Sequence, residues 1–281
     1  MNNNTKNIQI DDDLNLAIIA DSGQAFRIKM LKNGYYEFIT GAEILYIKPV
    51  EGDIFNISCT DEKWNDVWKP YFDFGRNYSA IRAEAKGKLK FIDEAMDFGK
   101  GIRILKQDAF EMLITFIISQ RKSIPAITTS VQRLCERFGE VIEDHTGLSE
   151  GTVYAFPTPE ALAAAGENEL SECGLGYRMP YVSGAARAVA EGSIDLGSLY
   201  ELSDEELFEK LLSIRGVGKK VANCICLFAY ARVGMVPIDV WIARAIENEC
   251  GGKSPFELYG ENAGIIQQYV FYYERMKRKT T

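Results

Sequence analysis

Residues 214 to 226 read IRGVGKKVANCIC. Two glycines precede a run apolar enough to enter a core, and that run opens on Lys219 and Lys220. Upstream, Ser203 and Glu206 have the spacing of a capping box ahead of Leu207 and Leu211, which predicts a helix over 204–213. The chain then turns through Arg215-Gly216-Val217-Gly218, and a second helix is expected from Lys219. Helices joined by such a hairpin leave backbone N–H groups free beside a helix N-terminus, which suits a phosphate. Glycine lets the backbone approach a ligand closely and adopt φ > 0. An ordinary helix–turn–helix with a glycine cap accounts for the same residues. A Walker A loop does not, because G-x4-G-K-[ST] is absent.

The lysines are the anomaly. A helix N-terminus already carries positive partial charge, so a cation in its first turn is either merely solvated or placed there for chemistry. Downstream, VPIDVW at 236–241 puts Asp239 where the next helix needs a cap. A capping aspartate alone is ordinary. Paired with Lys220, it makes a nucleophile and a carboxylate at two adjacent helix starts. The positive field favours a share of free amine, and the carboxylate can stabilise a developing cation or shuttle a proton. This is chemistry for attack on an electrophilic carbon with Schiff-base formation. Cys224 stands four residues beyond Lys220 and so shares its helix face.

The rest of the chain bounds the reading. With 281 residues, 47% of them hydrophobic, it can build one large or two ordinary cores. Residues 8 to about 95 read as strand-rich, through NIQI, NLAIIA, AFRIKM, YYEFIT, AEILYIKPV and DIFNISCT with turn residues between them. From Gln107 the period becomes helical: Phe110, Leu113, Ile114, Ile117 and Ile118 predict one apolar face, and Ile124, Ile127, Val131, Leu134 and Phe138 another. Thr158-Pro159-Glu160 reads as a helix start. The expectation is an α+β protein, an antiparallel β-rich domain over 1–100 followed by an all-helical region over 101–281 that contains the helix-hairpin-helix.

Cys59, Cys135, Cys173, Cys224, Cys226 and Cys250 are scattered, which argues for reduced thiols in an intracellular protein. With His145 the lone histidine, in a loop and assigned no role, no metal site and no cofactor are expected. The net charge of −8 predicts weak, salt-sensitive binding to polyanions through a local patch only. No apolar run reaches the roughly 18 residues of a membrane span. The opening MNNNTKN is polar and has no targeting character, and ERMKRKTT at the other end reads as a solvated helix end. A monomer in the cytoplasm or nucleoid of a prokaryote is expected.

The hairpin followed by VPIDV resembles the helix-hairpin-helix/Gly-Pro-Asp superfamily of DNA glycosylases, and within it the eukaryotic-type 8-oxoguanine glycosylases. The likeness extends to SGQAFR at 22–27, GIRILKQDAFEMLITFIIS at 101–119, GLGYR at 174–178 and GIIQQYVF at 264–271. The resemblance implies excision of 8-oxoguanine from double-stranded DNA, with Lys220 as the nucleophile at C1′ and Asp239 as its carboxylate partner. It implies that Phe271 and Cys224 sandwich the flipped base, that Gln267 reads its Watson–Crick edge, and that the Gly23 carbonyl meets its N7–H. Tyr177 would wedge into the duplex and Arg178 would reach the orphaned base. Gly216, Gly218, Lys219 and Arg121 would lie against DNA; for Arg121, Lys122, Lys219 and Arg215 simple solvation remains an equal reading. Trp241 and Ile242 are expected in the core, and Cys226 as packing. This chain departs from the family's asparagine run after Ser119, with Gln120-Arg121-Lys122, and has Ala126 where the family has a cytosine-reading arginine. Two alternatives stay open: a glycosylase for another base that only hydrolyses the glycosidic bond, and a non-catalytic DNA-binding module.

Overall fold

Short β-branched and aromatic runs pair as one five-stranded antiparallel sheet. Its strands are β1 (Lys6–Gln9), β2 (Lys29–Met30), β3 (Tyr36–Thr40), β4 (Glu43–Glu51) and β5 (Ile54–Ile57), ordered β1-β5-β4-β3-β2. The structure, a computed structural model, describes residues 5–277. Phe38 pairs with Leu45 and Ile47 with Ile57, and these four pack on Trp68, Tyr71 and Phe72 in a core of their own.

Two parts of the strand-rich expectation give way to helix. The NLAIIA segment is the helix Leu16–Asp21, in which the Asn15 side chain accepts from the Ile18 amide at 3.1 Å. Leu16 and Ile19, three residues apart, are its buried side. A β-branched run makes a strand only beside a pairing partner, and here the capping asparagine decides. From Asp61 to Phe98 the chain is also largely helical, with Thr60 and Asn77 as caps. Lys90–Phe98 buries Ile92, Ala95 and Met96, a helical spacing that the strand reading passed over. Of AFRIKM only Lys29–Met30 pairs.

The helix Ala109–Ser119 has no exposed face: every one of its residues is buried, Glu111 and Thr115 included. Ile124–Phe138, Met179–Ala190 and Lys219–Phe228 pack around it. Phe116 stacks on Phe228 with ring centroids 5.6 Å apart and planes 14° apart. Burial pushes the Glu111 carboxyl up, and the buried Arg27 guanidinium at 3.0 Å opposes this. The hairpin lies between Asp204–Leu212, which ends just short of the expected 213, and Lys219–Phe228; Ser203 and Glu206 form the predicted capping box. A two-stranded ladder of Val141–Ile142 with Val153–Tyr154 interrupts the helices.

The C-terminal helix Ala263–Lys277 packs on Lys90–Phe98 and on Val240–Cys250. Its end differs from the solvated reading: Arg275 is buried and pairs with Asp21 at 2.9 Å. The last four residues of ERMKRKTT, and the opening MNNN, lie outside the described residues. Among the described residues no helix is long and apolar enough to cross a membrane.

Arg103 ties the Asp12–Asp13 segment to the turn at 72–76. Fully buried, it donates from Nη1 to the Asp12 carboxylate at 2.7 Å and the Asp13 carbonyl at 2.9 Å. Its Nε reaches the Phe72 carbonyl at 2.7 Å, and Nη2 reaches those of Asp73 and Arg76 at 2.8 and 2.9 Å. This uses the whole guanidinium fork, so lysine is no substitute. Burial by itself raises the Asp12 carboxyl; Arg103 and the Ser79 and Tyr78 amides outweigh it and hold the group at about 2. A depressed carboxyl stabilises the fold above its unfolded value of ~4 and loses that contribution as pH falls. Arg103→Met should therefore cost about 3–5 kcal/mol of stability at neutral pH. It should also flatten the loss of stability between about pH 4 and about pH 2, which urea denaturation across that range would measure.

Candidate active site

Separate parts of the chain meet at a cavity of about 590 Å³. They are the segment after the first helix, the end of Ala109–Ser119 with the turn after it, the start of Lys219–Phe228, the Pro237–Trp241 segment and the C-terminal helix. Gly23, Lys220, Cys224, Asp239, Gln267 and Phe271 all line it. The fold thus gathers six residues that the sequence spreads from 23 to 271.

Lys220 is the second residue of its helix, which opens on Gly218 without a side-chain cap. Its ammonium lies 5.2 Å from the centroid of the Phe116 ring, over the buried central helix. Asp239 caps the neighbouring helix, its Oδ1 accepting from the Trp241 and Ile242 amides at 3.0 Å each. Burial raises the Asp239 carboxyl; those amides and Lys220 pull against the rise without cancelling it. A carboxyl so poised can hold or release a proton next to an amine. Burial likewise pushes the Cys224 thiol up despite Lys220 beside it, so Cys224 is a soft wall and not a second nucleophile.

The opposite wall is built for something flat. Gly23 holds φ +77°, and a Cβ there would meet Ile124 Cδ1 at 3.0 Å and Phe271 Cε1 at 3.1 Å. One turn before Phe271 on the same helix, Gln267 is only 3% exposed, and its Oε1 has no hydrogen-bond partner among the described residues. An orphaned buried amide costs about 1–3 kcal/mol. One turn from the Phe271 ring, it marks where a polar planar ligand would be read.

The rim residues behave differently from one another. Tyr177 is 54% exposed in the turn Gly176–Arg178. Arg178 does not reach outward as expected: it is 7% exposed, donates from Nε to the Gln120 carbonyl at 2.8 Å, and stacks its guanidinium 4.4 Å from the Tyr177 ring. With Nε and Nη2 both on the Gln120 carbonyl and Nη1 on that of Leu175, the guanidinium braces the turn. Gly216 holds φ +93°, and a Cβ on it would strike Tyr181 Cβ at 2.6 Å. Its glycine is a packing requirement, whereas Gly218 has open space around it and Lys219 is exposed. Arg121, exposed at the cavity lip, takes φ +50°. Trp241 is half-buried on the cavity wall, correcting its placement in the core; its neighbour Ile242 is fully buried.

The sequence marks Gln120 only as a departure from the family's asparagines and gives it no role. Its Nε2 donates to the Gly216 carbonyl at 3.0 Å while its own carbonyl receives Arg178, so it ties the central helix to the hairpin and to the Tyr177 turn. Only long-range contacts reveal this.

Residues 7–113 match the family described as 8-oxoguanine DNA glycosylase, N-terminal domain, and residues 114–255 match the HhH-GPD superfamily of base excision DNA repair proteins. An N-glycosylase/DNA lyase of Saccharomyces cerevisiae is 37% identical over 161 residues, 53% of this chain and 42% of that protein, so the match spans less than half of the yeast relative. The solved structure of MBOgg1 with a low-affinity DNA ligand superposes with a TM-score of 0.90 at 34% identity, covering 99% of this chain and 98% of that one. The 8-oxoguanine glycosylase/lyase of Clostridium acetobutylicum, solved with duplex DNA bearing cytosine opposite 8-oxoguanine, gives 0.87 at 30% identity, covering 97% and 98%.

Asp239 should titrate above the ordinary carboxylate value of ~3.9, and Lys220→Met should move it higher still by removing the nearby positive charge. Carbon-13 chemical shifts of the aspartate carboxyls, followed against pH, test this. A midpoint at or below the ordinary value would contradict the burial of the group.

Proposed function

Because this chain belongs to the HhH-GPD superfamily of base excision DNA repair proteins, with an N-terminal domain of the 8-oxoguanine DNA glycosylase kind, we propose that it is a bifunctional DNA glycosylase and AP lyase that removes 8-oxoguanine from double-stranded DNA. The observation that carries this reading is Lys220 beside the half-buried Asp239, in the same cavity as the unpartnered Gln267 Oε1.

The target base leaves the stack to enter the cavity. Tyr177 fills part of the gap, Phe271 and Cys224 sandwich the base, and Gln267 meets its Watson–Crick edge. The Gly23 carbonyl accepts from N7–H, which guanine lacks. The start of the hairpin helix, with Gly218 and Lys219, takes a phosphate; Arg121 follows the strand at the lip, and Gly216 shapes the turn. The free amine of Lys220 attacks C1′ as the glycosidic bond breaks and its electron pair leaves with the base, which picks up a proton. The Asp239 carboxylate stabilises the cationic sugar and accepts the proton the new amine sheds. Ring opening gives the imine, loss of a C2′ proton drives β-elimination, and the 3′ phosphate departs. The chain acts as a monomer and without a cofactor. A glycosylase that only hydrolyses the bond would have no use for Lys220, and a non-catalytic module none for the cavity.

Borohydride should trap the wild-type protein covalently on an 8-oxoguanine duplex. Lys220→Gln should abolish trapping and keep lesion binding, since glutamine preserves bulk but has no nucleophilic amine. Trapping lost in Lys219→Gln and kept in Lys220→Gln would make Lys219 the nucleophile and overturn the assignment.

Opposite-base selectivity should be modest. Ala126 has no donor for cytosine, and the Arg178 guanidinium is engaged internally. Losing one bidentate reader removes roughly 1–3 kcal/mol of discrimination. Single-turnover excision from four duplexes that differ only opposite the lesion should span about tenfold or less on that basis; a preference for cytosine of a hundredfold or more would mean another residue reads it.

A further inference from the structure

Gly23 sits between two completely buried residues, Ser22 and Gln24, and each of their carbonyls is held by a distant glutamine. Gln268 Nε2 donates to the Ser22 carbonyl at 2.9 Å, and Gln107 Nε2 donates to the Gln24 carbonyl at 2.9 Å. The Gln24 side chain is itself fixed: its Nε2 donates to Ser22 Oγ and the Arg103 carbonyl, both at 2.9 Å, and its Oε1 accepts from the Leu105 amide at 2.8 Å. Among the described residues, the Gly23 carbonyl accepts no hydrogen bond. Of three consecutive carbonyls, the outer two are clamped and the middle one is left at the cavity wall.

We propose that Gln107 and Gln268 are positioning residues that lock the Gly23–Gln24 peptide and so set the lesion selectivity of the cavity; this rests on its reading as an 8-oxoguanine pocket. A glycine peptide is among the easiest to flip. A flip here would replace the Gly23 carbonyl by the Gln24 N–H, an acceptor by a donor, and would favour the bare N7 of guanine over the N7–H of the lesion. The two glutamines hold the peptides on either side, and a buried polar network with its partners satisfied is rigid. Gln267 and Gln268 are adjacent on one helix, about 100° apart around its axis. One faces the cavity with a free Oε1 and the other holds Ser22, so a single helix sets base reader and carbonyl in mutual register.

The test separates recognition from the later chemistry. Single-turnover excision is measured on an 8-oxoguanine duplex, and strand cleavage on a duplex with a preformed abasic site, which presents no base to read. Gln107→Leu and Gln268→Leu should each lower the ratio of excision to abasic cleavage by about tenfold, the scale of one net hydrogen bond. Gln107→Glu keeps a donor only while its carboxyl is protonated, so its excision relative to the wild type should fall as pH rises. This variant gives a readout even if Gln107→Leu does not fold. Equal loss of both steps in leucine variants that unfold at the wild-type temperature, no loss in either, or a flat pH profile for Gln107→Glu would each overturn the proposal. A wild type that leaves 8-oxoguanine intact would overturn the proposed function. A wild type that excises it, with unchanged ratios in the variants, would overturn this inference alone.

Discussion

The helix Ala109–Ser119 has no side that tolerates water, so the rest of the protein has to enclose it. That demand explains why three helices pack around it and why Arg27, two residues before β2, reaches across to match Glu111. It also fixes the hairpin. Phe228, at the far end of the hairpin helix, stacks on Phe116, and the same ring lies under the Lys220 ammonium at the helix start. The lysine is therefore held over a rigid floor by contacts that serve the core.

Two placements at the site work against stability. A cation in the first turn of a helix meets the positive end of its dipole, which costs about 0.3–1 kcal/mol at exposed positions. A buried carboxylate is disfavoured as well, as the raised Asp239 carboxyl records. Each partly offsets the other, and the two amides on Asp239 offset more. A folded chain needs neither group there, since a serine would cap the second helix and a neutral residue would suit the first. Their presence together is what distinguishes this hairpin from a structural one.

Local chemistry was legible in the sequence and distant partnership was not. The Ser203–Glu206 capping box, the glycine hairpin, the Asp239 cap and the shared face of Lys220 and Cys224 each depend on residues a few positions apart, and each stands where the spacing put it. The helices at Leu16–Asp21 and between Asp61 and Phe98 were missed because β-branched and aromatic content outweighed the caps at Asn15, Thr60 and Asn77. Arg178 was given an outward role because nothing in GLGYR announces the Gln120 carbonyl far upstream. Gln107 and Gln268 lie inside family-like stretches that assign them no role; their importance lies in what they reach.

The turn after the central helix shows how one departure from the family is accommodated. The resemblance implies asparagines there, and asparagine tolerates a left-handed backbone better than most residues. This chain puts Arg121 at φ +50° instead, at some cost in strain. The neighbours hold it in place. Gln120 is bonded through its side chain to Gly216 and through its carbonyl to Arg178, and Lys122 donates to the Gly174 carbonyl at 2.8 Å and to the Ser130 hydroxyl. With both flanking residues tied inward, the residue between them can only point out, at the lip of the cavity. Two anchored neighbours hold this backbone conformation, and the residue between them brings a positive charge to the mouth of the site.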